Sequence, residues 1–332
     1  MAEVNAAYQK RRRSARAEGA WHPGCKTVSI GNITSGGSGK TPFCIYLAEL
    51  LGAEGISLGI SHRGYRGAFE HKPVIISEGK EPLFSARESG DEAHLLASRL
   101  QGIPVVVGRQ RQAAISLLLE AWPETQVLIL DDAFQNLRVA RDLDILCFDA
   151  ETGIGNGRLI PAGYLREPLD AIDPDTLIVI NHKGPDSDTA SLESMLRERS
   201  GHIFHCHYRI SGAVDAEGKL HPVSDLRGKR AMLVSGIANP ASFEQTARSV
   251  GISWLSHFQF PDHHPLSDPR EIARIAELAA KYRVGHLVCT EKDLAKLSVH
   301  KQLRDSLFAL RIGLDCPEAS QLKELIRLRL EL

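Results

Sequence analysis

Short apolar runs alternate with amphipathic segments along the first two thirds of the chain. Runs rich in β-branched residues and bounded by polar ends are typical of strands buried on both faces, as in a parallel sheet covered by helices. The segments between them, such as EAHLLASRL and RQAAISLLLEAW, carry apolar residues at helical spacing. This pattern predicts an α/β fold with a largely parallel sheet. The apolar runs are VSIGN, SLGIS, PVIIS, IPVVVG, QVLILDD, LDILCFDA and TLIVINHK.

The pattern changes at about residue 201. There HIFHCHYRI, a polar turn at DAEGK and a return segment predict a two-stranded β-ribbon. Beyond the ribbon, RAMLVSGI, ISWLSHFQF, HLVCTEKD and LFALRIGL again alternate with helical segments, which predicts a second, smaller α/β domain. The predicted division is a basic N-terminal segment (1–26), a first domain (27–200), the ribbon (201–228) and a second domain (229–332).

Composition narrows the function classes. The chain has 332 residues, of which 43% are hydrophobic and 24% charged, so it is long enough for two cores. Its net charge of -1 argues against a general nucleic-acid binder. The scattered cysteines, without a C-x-x-C pair, are typical of reduced core thiols. No apolar run approaches the roughly 20 residues that a membrane-spanning helix needs.

A glycine-rich segment lies between the first apolar run and a helical pattern, in TVSIGNITSGGSGKTPFCIYLAELLG. The strict P-loop pattern requires Gly six residues before the Lys, and Thr34 occupies that position relative to Lys40. The physical requirements are met nonetheless, because glycines let backbone N–H groups converge on phosphate oxygens at a helix N-terminus. A merely flexible turn is the alternative. The predicted phosphate-binding residues are Gly36, Gly37, Ser38, Gly39, Lys40 and Thr41.

A pair of acidic residues, Asp131 and Asp132, ends the apolar run VLIL, as expected of a Walker-B strand. In an open parallel sheet the site forms at the carboxyl ends of the strands. We therefore expect one of the pair to hold Mg²⁺, directly or through water, while Thr41 supplies a hydroxyl ligand. A turn or helix cap is the alternative for these aspartates.

The loop GNGRLIPAGYLREP, residues 155–168, is long and contains Arg158, Arg166 and Glu167. Loops of this length in a compact domain usually have a function. Arginine forms bidentate contacts with phosphate oxygens, and Glu167 is a candidate for the metal shell. A solvated Arg-Glu pair on the surface is the alternative.

Three further polar clusters admit both a functional and a structural interpretation. Asp91, in GDE, either caps a helix or takes part in catalysis. Asp262-His263-His264 is either a catalytic base with its orienting group or an ordinary polar loop. His205 and His207 share one strand face, but they have no partner pair at zinc-finger spacing. Neither NHKG nor TEKD fits the guanine-binding pattern N-K-x-D, which favours ATP.

Taken together and in order, these motifs resemble the tetraacyldisaccharide 4′-kinase family, which phosphorylates the lipid A precursor. The phosphate-binding loop of this family reads GGxGKTP, which accounts for the departure from the strict pattern. The resemblance extends over residues 28–297. The matching segments are VSIGNITSGGSGKTP, HRGYRG, GDEAHLLA, VVVGRQR, LDDAFQNLRVARDLDILCFDA, GNGRLIPAGYLREP, FPDHH and TEKDLAKL.

The resemblance implies a P-loop NTPase-like domain and a smaller α/β domain, joined by a β-ribbon, with ATP and Mg²⁺ as cofactors. It implies that Lys40 and Thr41 bind the β- and γ-phosphates and the metal, and that Arg166 contacts phosphate. It also implies that Asp91 and His263 form a catalytic dyad acting on the sugar 4′-hydroxyl. The metal shell that it implies consists of Thr41, Asp131, Asp132 and Glu167.

The implied reaction is ATP-dependent phosphorylation of a lipid-linked glucosamine disaccharide 1-phosphate, with peripheral contact at the cytoplasmic face of the inner membrane. The chain departs from the family pattern in DDAFQN, where Ala133 and Asn136 replace Gly and His, and in HRGYRG, where Arg66 adds a positive charge. It also begins with a basic segment around Arg11–Arg13 rather than an apolar anchoring helix, which implies either a truncated start or peripheral docking. A deviant P-loop ATPase, a metallochaperone-type NTPase and an inactive lipid-binding paralogue are the alternatives.

Overall fold

A computed structural model describes residues 19–184 and 187–332 of the chain. The basic cluster of the N-terminal segment, Lys10 to Arg16, lies outside the described residues. The chain folds into two compact units. The first contains the described residues up to Phe84 together with Glu88–Tyr208 and Leu314–Leu332, and the second contains Ser85–Arg87 and Arg209–Gly313.

The strands of the described residues coincide with the predicted apolar runs. Each run is long enough to form a strand buried within a sheet. In chain order they are β1 Lys26–Gly31, β2 Leu58–His62, β3 Val74–Glu78, β4 Pro104–Val107, β5 Val127–Leu130, β6 Leu143–Asp149, β7 Leu177–His182, β8 Ile203–Asp215, β9 Leu220–His221, β10 Arg230–Ser235, β11 Ser253–Gln259, β12 His286–Thr290 and β13 Leu307–Asp315.

The helices of the described residues fill the segments between the strands. In chain order they are α1 Lys40–Gly52, α2 Ala86–Ser89, α3 Asp91–Arg99, α4 Arg111–Ala121, α5 Ala190–Arg197, α6 Pro240–Ser249, α7 Pro269–Lys281, α8 Glu291–Leu297, α9 Lys301–Arg304 and α10 Ala319–Leu330. Within the described ranges, no helix is both long and apolar enough to span a bilayer.

The sheet of the first unit has the order β8-β7-β6-β1-β5-β2-β4-β3. Every neighbouring pair in it is parallel except β3 with β4. Strands β2, β4 and β5 are buried along their whole length, as expected when helices cover both faces. The predicted α/β class with a largely parallel sheet is confirmed.

The last helix, α10, packs in the core of the first unit. Its Leu322, Ile326 and Leu330, spaced one turn apart, are fully buried in the same cluster as Phe43 and Leu47 of α1. The second domain is predicted to span 229–332. In the structure its last segment, Leu314–Leu332, belongs to the first unit, because this apolar stripe is buried there. The chain passes from the first unit to the second within β8 and returns within β13.

The second unit contains a smaller parallel sheet with the strand order β11-β10-β12-β13. The predicted ribbon corresponds to the antiparallel pairing of β8 with β9, in which Ala213 faces His221. The turn between them is held by Asp215, whose carboxylate accepts from the N–H groups of Glu217 and Lys219 and lies 2.6 Å from the His221 ring. These bonds lower the pKa of Asp215 although burial opposes them.

Candidate active site

The glycine-rich loop connects β1 to the N-terminus of α1, as the sequence predicts. Gly39 immediately precedes the helix with a φ of 83°, a conformation that favours glycine. A Cβ atom at this position would lie 2.6 Å from Asn181 Nδ2 and 2.7 Å from the Tyr208 hydroxyl oxygen. Both the backbone conformation and the close approach of these side chains therefore require glycine at position 39.

The end of β7 holds the same loop through its carbonyl groups. Asn181 Nδ2 donates to the Ser38 carbonyl at 2.7 Å, and Lys183 Nζ donates to the Gly37 carbonyl at 3.0 Å. Lys183 is itself 2.6 Å from Asp149 Oδ2 at the end of β6. Because the carbonyls are bonded on the protein side, the loop is shaped to present backbone N–H groups to an anion at the helix N-terminus.

The first residues of α1 contact the acidic pair that follows β5. Lys40 Nζ lies 3.4 Å from Asp132 Oδ1, and Thr41 Oγ1 donates to Asp131 Oδ2 at 3.1 Å. Strands β1 and β5 are neighbours in the sheet, so their carboxyl ends bring the loop and the acidic pair to one edge. The four residues that the sequence assigns to phosphate and metal thus lie together.

Asp131 is fully buried, and two donors stabilise its charge. The Thr41 hydroxyl donates to Oδ2 and the Asp132 N–H donates to Oδ1 at 2.9 Å. Burial nevertheless raises its pKa, and nearby Glu92 and Asp132 act in the same direction. His62 opposes this rise, with its Nε2 4.0 Å from Asp131 Oδ2 and 3.6 Å from Glu92 Oε2.

The ring orientation of His62 follows from its other nitrogen. His62 Nδ1 accepts from the Gly64 N–H at 2.9 Å, so in the neutral ring the proton is on Nε2. That proton faces the carboxylates of Asp131 and Glu92. His62 therefore directs a ring N–H towards both carboxylates at this edge of the sheet.

Arg111 is a buried cation that contacts the backbone of the acidic pair. It is buried, its Nη2 donates to the Asp131 carbonyl at 2.5 Å, and its Nη1 donates to Ser61 Oγ at 3.2 Å. Burial lowers its pKa to about 10, so the guanidinium stays charged at neutral pH. A buried arginine beneath two aspartates balances part of their charge and fixes the end of β5.

Asp91 is the first residue of α3, where the helix N-terminus favours a negative charge. The HRGYRG segment packs directly against the residue before it. A Cβ on Gly67 would lie 2.5 Å from the Gly90 nitrogen, and one on Gly90 would lie 2.8 Å from the Tyr65 carbonyl oxygen. These close approaches fix the start of α3 beside the end of β2, where Glu92 faces His62.

Residues of the 155–168 loop pair with the phosphate-binding loop. The Ser35 N–H donates to the Tyr164 carbonyl and the Arg166 N–H donates to the Ile33 carbonyl, each at 2.7 Å. Arg166 lines the same cavity as Asp132. Glu167 is partly buried next to it in the chain.

This cavity of about 970 Å³ lies within the first unit and is strongly basic. One carboxylate, Asp132, lines it, against several guanidinium groups. Such a surface selects an anionic ligand, and arginine is well suited to phosphate oxygens. The basic residues that line it are Arg63, His71, Arg109, Arg111, Arg138 and Arg166.

His263 belongs to the second unit, whereas Asp91 belongs to the first. His263 lies between β11 and α7 with a φ of 60°, and its Nε2 is 3.7 Å from Asp262 Oδ2. Its N–H donates to the Gly236 carbonyl at 3.2 Å. The His263 ring therefore has a carboxylate neighbour, and the His263 backbone is bonded to the residue that follows β10.

The residues of the first unit fit a magnesium ion. No three His, Cys, Asp or Glu side chains within the described residues are placed to hold a metal together. Mg²⁺, however, is usually held by one or two carboxylates, with phosphate oxygens and water completing the shell. Asp132 Oδ1 is buried and accepts no hydrogen bond in the described part of the chain, although Lys40 Nζ lies 3.4 Å away, and this oxygen suits such a shell with Asp131 and Thr41.

The histidines of β8 contact a third histidine. His205 Nδ1 is 2.8 Å from His182 Nε2, and the His207 ring stacks on that of His182 with centroids 4.6 Å apart. Burial and the two neighbouring rings lower the pKa of His182. These contacts place the pair predicted on one strand face within a side-chain cluster at the ends of β7 and β8.

Reasoning from the sequence misses three residues of this site: His62, Glu92 and Arg111. Their segments are recognisable, but the pattern assigns no role to these side chains. The available signal is position, because His62 ends β2 and Arg111 follows β4, both at the carboxyl edge where ligands bind. From the sequence, Asn181 in NHKG is considered only as part of a possible guanine-binding pattern. In the structure its side chain donates to the phosphate-binding loop.

Comparison with known proteins places this chain in a family. A family model described as tetraacyldisaccharide-1-P 4'-kinase matches residues 2–331. The chain belongs to the tetraacyldisaccharide 4'-kinase family. The family resemblance stated from the motifs is therefore confirmed.

Several family members are similar over most of their length. The tetraacyldisaccharide 4'-kinase of Desulfatibacillum aliphaticivorans is 34% identical over 317 residues, which cover 93% of this chain and 84% of that protein. That of Geobacter sulfurreducens is 37% identical over 274 residues, covering 82% and 75%. A crystal structure of LpxK from Aquifex aeolicus in complex with ATP matches 99% of this chain and 97% of its own, with a TM-score of 0.79 at 27% identity.

Proposed function

We propose that this protein is an ATP-dependent kinase that phosphorylates the 4′-hydroxyl of a tetraacylated glucosamine disaccharide 1-phosphate, a lipid A precursor. The observation that carries the proposal is the meeting of Lys40 and Thr41 with Asp132 and Asp131 at one sheet edge. Family membership supports the same reaction, since the named relatives are tetraacyldisaccharide 4'-kinases.

In this proposal the residues of the loop bind and orient the transferred phosphoryl group. The N–H groups of Gly36 to Gly39 and the Lys40 ammonium hold its oxygens, and Arg166 contacts phosphate from the adjoining loop. A bound Mg²⁺ held by Thr41, Asp131, Asp132 and Glu167 would neutralise charge on the phosphate oxygens. Most of the rate then comes from positioning and electrostatic stabilisation, because phosphoryl transfer needs little covalent chemistry from the protein.

We assign the proton transfer to His263 and its orientation to a carboxylate, with Asp91 as the proposed partner. His263 takes the proton of the sugar hydroxyl as the oxygen attacks the γ-phosphoryl group, whose bond to the bridging oxygen breaks to release ADP. Asp262, whose Oδ2 lies 3.7 Å from His263 Nε2 in the same loop, is a second carboxylate neighbour of the ring. The division of labour places phosphate binding in the first unit and the base in the second.

The basic cavity supports an anionic acceptor. We assign Arg166 to the phosphate at the transfer site and Arg138, in the same cavity, to the sugar 1-phosphate end of the substrate, because guanidinium groups bind phosphate oxygens. The substrate carries acyl chains, so the protein would meet it at the surface of the inner membrane, on the cytoplasmic side where ATP is present. Co-sedimentation with vesicles containing the substrate tests this contact.

A phosphoryl-transfer assay tests the function directly. Wild-type protein is incubated with γ-labelled ATP, Mg²⁺ and detergent-dispersed tetraacyl disaccharide 1-phosphate, with Lys40→Ala as the control. We expect labelled lipid from the wild type and a rate lower by about 10³-fold from the variant, because the transferred group loses its cation. Labelled lipid at equal rates would refute the site. ATP binding without transfer would favour an inactive lipid-binding paralogue.

A further inference from the structure

The loop that contains His263 is held by the end of β10. The Phe260 N–H donates to the Ser235 carbonyl at 2.8 Å, and the His263 N–H donates to the Gly236 carbonyl at 3.2 Å. His263 and Leu266 both have positive φ values, 60° and 50°, which side chains other than glycine rarely adopt. Such a backbone persists only where the surrounding structure determines it.

Asp293 determines the position of the Gly236 peptide. It is fully buried, and its Oδ2 accepts from the Gly236 N–H at 3.1 Å and from the Thr290 hydroxyl at 2.7 Å. A Cβ on Gly236 would lie 3.2 Å from Asp293 Oδ1 and 3.5 Å from both the Pro261 carbonyl oxygen and His264 Cβ. Gly236 is thus enclosed between the carboxylate and the loop, with its N–H bonded to Asp293 and its C=O to His263.

Helix α8, which contains Asp293, also contacts the His263 loop directly. Asp293 and Lys296 are both in α8, and Lys296 Nζ donates to the His264 carbonyl at 3.2 Å. The N-terminal cap of α8 uses the Thr290 hydroxyl, which accepts from the Asp293 N–H at 3.2 Å. That cap does not need a carboxylate that reaches Gly236. The bond to Gly236 is therefore additional to the requirements of the helix.

We propose that Asp293 is a positioning residue, which acts through the Gly236 peptide to hold His263 in its working orientation. This inference rests on the proposed role of His263 as the base. It gives the TEKD segment a function in the reaction, although none of its residues needs to contact the substrate. The carboxylate acts through a geometric chain of Asp293 Oδ2, the Gly236 N–H, the Gly236 carbonyl and the His263 N–H.

The test compares Asp293→Ala and Asp293→Asn with Asp225→Asn, which removes an exposed carboxylate of the same unit. We expect Asp293→Ala to lower kcat by about 10²-fold, as a misplacement of roughly 1 Å does, with the KM for ATP changed less than about threefold. Asn retains the acceptor oxygen for Gly236 and should recover kcat to within about tenfold of wild type. Asp225→Asn should match the wild type.

A double variant separates positioning from general destabilisation. If Asp293 acts through His263, the combination of Asp293→Ala with His263→Ala has the kcat of His263→Ala alone, since the base is already absent. The rise of kcat with increasing pH, which reports deprotonation of the base, should also be weaker in Asp293→Ala. Multiplied losses in the double variant, or an unchanged kcat in Asp293→Ala, would overturn the inference.

An NMR measurement makes the inference independent of the kinase assay. The Cε1–Hε1 cross-peak of His263, assigned by its loss in His263→Gln, is compared between the wild type and the Asp293 variants without substrate. We expect a shifted or broadened peak in Asp293→Ala and a nearly unchanged one in Asp293→Asn. An unchanged peak in both variants refutes the positioning role. An inactive wild type that shows the expected shift refutes the proposed reaction but supports the positioning.

Discussion

The hydroxyl oxygen of Thr41 lies 3.1 Å from Oδ2 of Asp131, although 90 residues separate the two in sequence. The bond joins the first turn of α1 to the end of β5. It holds the start of α1, and with it the phosphate-binding loop, against the acidic pair. A hydroxyl that is already aligned with a carboxylate needs little rearrangement to become a metal ligand beside it.

Replacement of the Thr41 hydroxyl should abolish most activity while preserving the fold. Thr41→Val keeps the shape but loses the oxygen, so we expect kcat to fall by about 10²-fold or more, as when one transition-state contact is lost. Thr41→Ser keeps the oxygen and should remain within a few-fold of wild type. Steady-state kinetics with thermal melts of all three proteins check this. Equal rates for Val and Ser would exclude a metal-ligand role for the hydroxyl.

Gly39→Ala should weaken nucleotide binding. The new Cβ would overlap Asn181 Nδ2 and the Tyr208 hydroxyl at a φ of 83°, so the loop must shift from the helix N-terminus. We expect the Kd for ATP to rise by about tenfold or more, since each misplaced N–H group costs a hydrogen bond to a charged phosphate. Isothermal calorimetry measures the change. Gly37→Ala is the matched control in the same loop, because nothing lies within 4 Å of its Cβ position.

Asp131→Asn should alter the pH dependence of stability. Burial raises the pKa of Asp131 above its ordinary value of 3.8, so the folded protein retains the proton to higher pH than the unfolded chain. The contribution of Asp131 to stability therefore falls as pH rises from 3.8 through the raised folded pKa. Each tenfold difference in proton affinity between the folded and unfolded states corresponds to about 1.4 kcal/mol of stability.

The Tm of Asp131→Asn relative to wild type should accordingly rise as the pH increases above 3.8, the ordinary pKa of the aspartate. Calorimetric melts at several pH values measure this difference, and Asp225→Asn, which removes an exposed carboxylate, should show no such trend. The same substitution of Asp131 should abolish phosphoryl transfer. A Tm difference that is constant with pH would mean that Asp131 titrates normally in the folded state.

The sequence is sufficient for the architecture of the first unit and for proposing part of its candidate site. Apolar runs with polar ends identify strands directly, and the residues after β1 and β5 carry recognisable chemistry, so Lys40 and Asp131 are predictable. Arg111 is not, because a buried guanidinium depends on its partners across the sheet, such as Ser61. The packing of α10 on the first unit is also missed, since an apolar stripe does not identify the core that it covers.

Arg138→Gln should selectively weaken binding of the lipid substrate. Arg138 is exposed, lines the basic cavity, and lies outside the phosphate-binding loop. If the cavity receives the 1-phosphate, the variant should raise the KM for the lipid about tenfold, because a hydrogen bond between charged groups is worth roughly 1.5 kcal/mol or more. The KM for ATP should remain unchanged.

A substrate without the 1-phosphate provides the decisive comparison. With this substrate Arg138 has no charge to bind, so wild type and Arg138→Gln should have the same kcat/KM. Arg197→Gln, which removes an exposed arginine on α5 paired with Glu193, should match wild type on both substrates. Because surface charges are screened by salt, the advantage of the wild type should also shrink at high ionic strength. If Arg138→Gln lowered kcat/KM equally on both substrates, Arg138 would not bind the 1-phosphate. The 1-phosphate would then be bound by other residues.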